Sequence, residues 1–240
     1  MLVSLYRHVL PGDSRFRIED FDGDLKLDVN VTETMGINLW HTPGLFEKAE
    51  RQLFLGEIKP GTVVLDVGAN IGIYTLLAAK RGARVFAIEP DPENMRSLRH
   101  HLAINGLANR VTLIEMAATL SPGPVKMYRT SINSGASTLY GKGEYVEVEG
   151  RTIDSLDLPP IDVCKMDIEG AEYVALSGMK KTLERSTTMR LLVECSARFP
   201  DTRQLLSLLH EEFRSLRVVG GAELSGVDSA PAYCNLWATR

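Results

Sequence analysis

The pattern of apolar and polar positions changes character at Lys59-Pro60-Gly61. Before that point, charge-interrupted extended runs at 16–20 and 25–31 lead into a helical pattern over 45–58. After it, short apolar runs alternate with helical periodicity. Strands are predicted at 63–67, 84–88 and 111–115, with helices at 73–80 and from 92 to about 104. The second helix has a clear start, with Asp91 as N-cap and Pro92 at the first helical position. Asn105-Gly106 stops it. The rhythm then breaks. Runs at 125–129 and 145–150 read as strands around a Gly/Ser-rich segment, 130–143, which predicts an inserted hairpin or flap. Alternation resumes with a strand at 163–168, a helix at 171–183 and a strand at 190–194. A further helix is opened by Asp201, with Gln204 three residues on in a capping-box-like start. Runs at 216–219 and 233–239 close the chain, joined by a Gly-rich link too short for a crossover helix, so the last strand is predicted antiparallel. The pattern as a whole predicts a doubly wound α/β fold with a mostly parallel sheet covered on both faces. Residues 1–60 are expected to form an extension or lid packed on a ligand-binding domain, 61–240, with the flap inserted at about 120–150.

Composition narrows the chemistry. Twenty-seven Lys and Arg against 31 Asp and Glu give a net charge of −4, which argues against nucleic acid as the main partner. No apolar run approaches the roughly 18–20 residues that span a bilayer. The first 17 residues are interrupted by Arg7, His8 and Pro11 and do not read as a signal peptide. Cys164, Cys195 and Cys234 lack metal spacing and sit in apolar runs, so they are expected to be buried, reduced packing residues. The adjacent His100 and His101 face different ways on a helix. The expectation is a cytoplasmic protein without a metal, although carboxylates can recruit Mg²⁺.

The most informative stretch is Val63-Val64-Leu65-Asp66-Val67-Gly68-Ala69-Asn70-Ile71-Gly72. A strand runs into a two-glycine turn and then a helix, the unit that brings a nucleotide-like cofactor against bare backbone. It is neither G-x-G-x-x-G nor a Walker loop. An acid two residues before the first glycine suits a ligand carrying an ammonium group, and disfavours a pyrophosphate. S-adenosylmethionine has such an amino-acid end and no phosphate. Asp66 would accept from that amine through water or brace the loop, with Gly68, Ala69, Asn70 and Gly72 forming the cradle. Glu89, ending the next strand, is placed to accept from both ribose hydroxyls. Pro90 follows it, and Asn94 is a weaker candidate contact.

Lys165-Met166-Asp167-Ile168-Glu169-Gly170-Ala171-Glu172 gathers three carboxylates and a lysine at a strand end, where open α/β sheets hold ligands. Alternation puts Lys165 and Asp167 on one face and Met166 and Ile168 on the other. Glu194 ends the neighbouring strand and could orient an acceptor hydroxyl. Asp167, assisted by Glu169 or Glu194, is the candidate general base or acceptor-orienting group. Lys165 would favour its carboxylate, which ranks positioning ahead of base catalysis. Asn133, Ser134 and Ser137 could line an acceptor pocket or be solvated flap residues. Glu47 and Glu50 read as a solvated helix face, and Trp40 and His41 as edge packing.

These motifs resemble those of FkbM-type S-adenosylmethionine-dependent methyltransferases over roughly residues 44–196. The resemblance rests on L-D-V-G-A-N-I-G (65–72), I-E-P (88–90), N-S-G-A-S-T-L (133–139), R-T-I-D-S-L (151–156) and K-M-D-I-E-G-A-E (165–172). It implies a class I methyltransferase fold with a seven-stranded sheet and an antiparallel last strand. It also implies S-adenosylmethionine as methyl donor and O-methylation of a hydroxyl on a sugar, polysaccharide or natural product. The partner is then a small-molecule or glycan acceptor. In that fold adenine lies in the loop after the third strand, which here offers backbone at Met116 and Ala117. Competing readings are a non-catalytic cofactor-binding scaffold and an NAD-dependent oxidoreductase.

Overall fold

The computed structural model describes residues 6, 9–10, 14–130 and 133–240, with 130 and 133–136 as backbone only. The N-terminal section builds a hairpin, β1 (Arg15–Phe21) and β2 (Leu25–Asn30), followed by α1 (Thr34–His41) and α2 (Lys48–Gly56). The alternating section supplies β3 (Val63–Val67), α3 (Ile73–Lys80), β4 (Arg84–Ile88), α4 (Pro92–Ile104) and β5 (Val111–Ile114). Four strands interrupt it: β6 (Ala117–Ala118), β7 (Gly123–Thr130), β8 (Asn133–Thr138) and β9 (Tyr145–Arg151). It then continues through β10 (Val163–Met166), α5 (Glu172–Ser177), α6 (Lys180–Arg185), β11 (Arg190–Ser196), α7 (Thr202–Glu212), β12 (Ser215–Val218) and β13 (Tyr233–Thr239).

The central sheet has the order β12-β13-β11-β10-β3-β4-β5. Pairs β11-β10, β10-β3, β3-β4 and β4-β5 are parallel, while β13 runs antiparallel to both neighbours. This is the doubly wound sheet that alternation predicts. Side chains along β3 divide between its faces. Leu65 and Val67 join the core under the C-terminal helices, with Met166, Leu176, Leu191 and Leu205. Val64 faces the opposite core, with Leu76, Leu77 and Leu98. The N-terminal section belongs to that second core through Phe21, Leu27, Leu39 and Phe54, each at most 1% exposed. Burial of such side chains stabilises by roughly 1.5–3 kcal/mol each, so this section is bound to the sheet as a structural layer.

Three elements depart from expectation. Helix α1 has no clear apolar stripe in the sequence; it forms where Ile37 and Leu39 are buried, and it packs against β2. The helix predicted over 45–58 begins only at Lys48, because Glu47 turns the chain in a left-handed conformation (φ 44°). The single helix predicted over 171–183 is two. Asp154 caps the second, its carboxylate accepting from the amides of Lys181 (3.0 Å) and Thr182 (2.9 Å). Asp201 precedes α7 but makes no side-chain cap; its carboxylate accepts from the Tyr140 hydroxyl at 2.5 Å instead. The inserted segment is a separate four-stranded sheet, order β6-β9-β7-β8, rather than a lone hairpin.

Candidate active site

The parallel strands end in loops along one edge, and the loop after β3 is the tightest. Gly68 has φ 81°, and a Cβ there would lie 2.0 Å from the carbonyl oxygen of Asp167. Only glycine lets the two loops touch. Every amide from 68 to 72 has an internal partner. Gly68 and Ala69 donate to the Ile88 carbonyl (2.9 and 3.0 Å), and Gly72 donates to Ala69 (2.8 Å). Asn70 donates to Glu89 Oε2 (2.8 Å), and Ile71 to the Asn70 side chain (2.7 Å). The bare-backbone cradle expected from the sequence is therefore not free for an anion; the loop presents shape rather than donors.

Asp66 and Gly72 stand behind this loop and do not line the cleft. Strand alternation turns Asp66 towards α3, where its Oδ2 accepts from Thr75 Oγ1 at 2.6 Å. Burial pushes its carboxyl upward, against the pull of Lys165. Gly72 packs against Leu98. His101 supports the loop from below. Its Nε2 accepts from the Asp28 amide (3.0 Å), so Nδ1 carries the proton donated to the Ile71 carbonyl (2.7 Å). Burial lowers its pKa and keeps the ring neutral.

Glu89 bridges two loops. Besides Asn70, it accepts from the Asp91 amide (2.9 Å) and Asn94 Nδ2 (3.3 Å). Burial pushes its carboxyl up to about 7. Glu89, Pro90, Met116 and Ala117 line one side of a cleft of about 560 Å³ with its open mouth, faced by Met127 and Leu139 from the flap. Gly68, Asn70, Asp167 and Glu169 form its inner wall and also border a second, wider cavity. Asp91 caps α4 as expected, donor Glu93 N at 2.7 Å. It also holds Arg129 of β7 in a two-point pair, both contacts at 2.8 Å. Thr138 ties the other end of the flap to the Glu169 carbonyl (2.7 Å). Ser137 lines the cleft; the side chains of Asn133 and Ser134 lie outside the described residues.

The second cavity, about 980 Å³ with its open mouth, is polar. Lys165 and Asp167 share a face, Nζ to Oδ2 at 3.1 Å. Burial works to lower the Lys165 pKa, but Asp167, Asp66 and Glu47 together raise it, so the ammonium stays charged. It also lies 5.1 Å from the centre of the Tyr74 ring. Glu169 pairs with Arg198, and Glu172 is turned inward to accept from the amides of Ile168 (2.8 Å) and Gly170 (3.0 Å). Burial pushes Glu172 up to about 7. Glu194 goes up to about 8 through burial and the charges of Asp167, Glu169 and Glu172.

Several wall residues carry no local signal in the sequence. Glu47 is not a solvated helix residue: it enters this cavity and accepts from the Tyr74 hydroxyl at 2.7 Å, while Glu50 accepts from Asn235 (3.0 Å). Thr34, Asn38 and Tyr233 also line it; Trp40 instead packs on Phe16, ring centres 5.1 Å apart. A signal for Glu47 exists only in the backbone. Of five non-glycine residues at positive φ among those described, Glu47, Asn70 and Glu169 border this cavity. Such strain gathers at functional sites. All three cysteines are buried free thiols, as expected. No helix among the described residues is long and apolar enough to cross a membrane.

Comparison with known proteins places this edge in context. The chain is 25% identical over 160 residues to the hexuronic acid methyltransferase AglP of Haloferax volcanii, covering 65% of this chain and 66% of AglP. It is 28% identical over 163 residues to the 2-O-methyltransferase NoeI of Sinorhizobium fredii, covering 58% of this chain and 66% of NoeI. The matched region thus spans just under two thirds of each relative. The structure of M. jannaschii TYW2 in complex with AdoMet shares the fold, with TM-score 0.51, 15% identity, and 96% of this chain and 86% of that one covered. The methyltransferase FkbM domain model matches residues 66–216, from the first acid of the glycine loop to β12. The chain belongs to the FkbM methyltransferase domain family.

Proposed function

We propose that the protein transfers a methyl group from S-adenosylmethionine to a hydroxyl of a sugar or similar polyhydroxylated acceptor. The observation that carries this reading is a two-part cleft meeting at Asp167, with a mainly apolar chamber on one side and a polar, carboxylate-lined cavity on the other. The residues fit the donor. Gly68 lets the loops after β3 and β10 close on each other at the cleft, the loop amides are closed to phosphate, and the surrounding carboxylates suit an ammonium-bearing ligand. The same closed amides disfavour NAD. Glu89 would hold the ribose, backbone at Met116 and Ala117 the base, and Gly68, Ala69 and Asn70 the amino-acid end. When bound, the sulfonium supplies an activated methyl carbon.

The chain's own work is alignment. Asp167, paired to a buried lysine, accepts from and orients the acceptor hydroxyl, with Glu169 and Glu194 beside it. The names of AglP and NoeI, one a hexuronic acid enzyme and one acting at a 2-O position, support an oxygen acceptor. A carboxylate-walled cavity also supports a small acceptor over a polyanion such as nucleic acid. Residues 34–47 of the N-terminal section supply an acceptor-facing wall, and the flap covers the donor chamber. Calorimetric titration with S-adenosylmethionine, S-adenosylhomocysteine and NAD tests the donor; binding is expected for the first two alone. Labelled methyl appearing on a glycan or small molecule in an extract tests the transfer, and no labelled product with any acceptor would leave a cofactor-binding scaffold.

A further inference from the structure

Three carboxylates, two from the segment after β10 and one from β11, converge beneath the polar cavity. One oxygen each from Asp167, Glu172 and Glu194 lies within 4.8 Å of the others. Acidic residues cluster on many proteins without a ligand, so the decisive feature is Glu194. Only 6% of this residue is exposed, and although Tyr233 hydrogen-bonds to its carboxylate, Oε2 is buried with no hydrogen-bond partner. A buried carboxylate oxygen without a donor is costly, more so among other carboxylates. The nearby cations are engaged elsewhere, Lys165 with Asp167 and Arg198 with Glu169. The group as built lacks a positive partner for Glu194.

We propose that Asp167, Glu172 and Glu194 form a site for one hard divalent cation of the Mg²⁺ or Mn²⁺ type. The donor set is all carboxylate oxygen, which selects such ions over zinc or copper. Oxygens sharing one octahedral shell at about 2.1 Å from the ion lie roughly 3–4.2 Å apart, a spacing this trio reaches with small side-chain adjustments. Each ligand is placed by its backbone. Asp167 follows β10 and keeps 31% of its side chain exposed, which gives the ion an entry path and positions open to the cleft. Glu172 is steadied by the amides of Ile168 and Gly170 and retains lone pairs. Glu194 reaches in from β11. An ion here would face an acceptor hydroxyl and favour loss of its proton, but the site itself does not depend on the methyl-transfer reading.

The test is Mn²⁺ titration of the protein alone, with free ion followed by electron paramagnetic resonance. One saturable site per chain is expected. Glu194→Gln and Asp167→Asn should each weaken it by about tenfold or more, while Glu93→Gln, on an exposed helix start, leaves it unchanged. Circular dichroism confirms that each variant is folded. Absence of saturable binding below about 1 mM, or binding that survives Glu194→Gln, overturns the site. No donor or acceptor is added, so such a result leaves methyl transfer to be judged by the label assay.

Discussion

The loops after β3 and β10 touch at Gly68 and Asp167, yet they are built on opposite principles. The first uses all five of its amides internally, seats a glycine against a neighbouring carbonyl and meets the cleft as a surface of fixed shape. The second gathers Asp167, Glu169 and Glu172 near Lys165, with one buried oxygen of Glu194 unsatisfied beside them. One loop's polar demands are met by the fold, while the other's are left for something that binds. Damage to the first should therefore cost folding and binding together, whereas damage to the second should cost chemistry and spare the fold.

The harshest trial of this contrast is Gly68→Ala. The new Cβ cannot coexist with the Asp167 carbonyl. A loss of more than about 2 kcal/mol in stability and on the order of 100-fold in S-adenosylhomocysteine affinity is expected, read by denaturant melts and calorimetry. Wild-type affinity in that variant would end the idea of a shape-fixed loop. Asp167→Asn probes the other side. Its kcat/KM for methyl transfer should fall by about 100-fold while S-adenosylhomocysteine affinity changes less than about threefold. Lost donor binding would move Asp167 out of an acceptor role.

Glu89→Gln should weaken donor binding about tenfold and alter the pH dependence of stability. In the folded chain this carboxyl holds its proton up to about pH 7, against an ordinary value of 4.5. The stability it contributes is complete below about pH 4.5 and is lost as pH rises towards 7, by at most about 1.4 kcal/mol per pH unit. The glutamine variant should flatten that slope in melts recorded from pH 5 to 8; an unchanged slope would assign it to other groups. The mildest change is Arg129→Ala, which frees one end of the flap. About 1 kcal/mol of stability and a few-fold rise in donor KM are expected, with kcat held.

Much of the sheet was legible because its signals are local. Strand β3, helix α3 and the Asp91-Pro92 start of α4 each follow from adjacent residues. Asp154 shows the limit. It looks like one polar residue in a loop, yet it divides a helix 27 residues away in sequence. The site divides along the same line. Glu89 and Asp167 could be named from strand ends, whereas Glu47 and Tyr233 reach the cavity only through the packing of distant segments on the sheet. Strand alternation in the sequence leaves two roles open for Asp66, and only the packed structure shows its carboxylate directed at Thr75.

The place of β13 gives the molecule a timetable. This final strand lies between β11 and β12, so β11, which bears Glu194, has its second neighbour only once residues 233–239 exist. Strands β3, β4 and β5 are already mutual neighbours by residue 114. During synthesis the half that bears the glycine loop can take its register early, and the carboxylate wall proposed to face the acceptor is closed last. A nascent chain would thus complete the sheet beneath the glycine loop before it completes the strand pairing that holds Glu194.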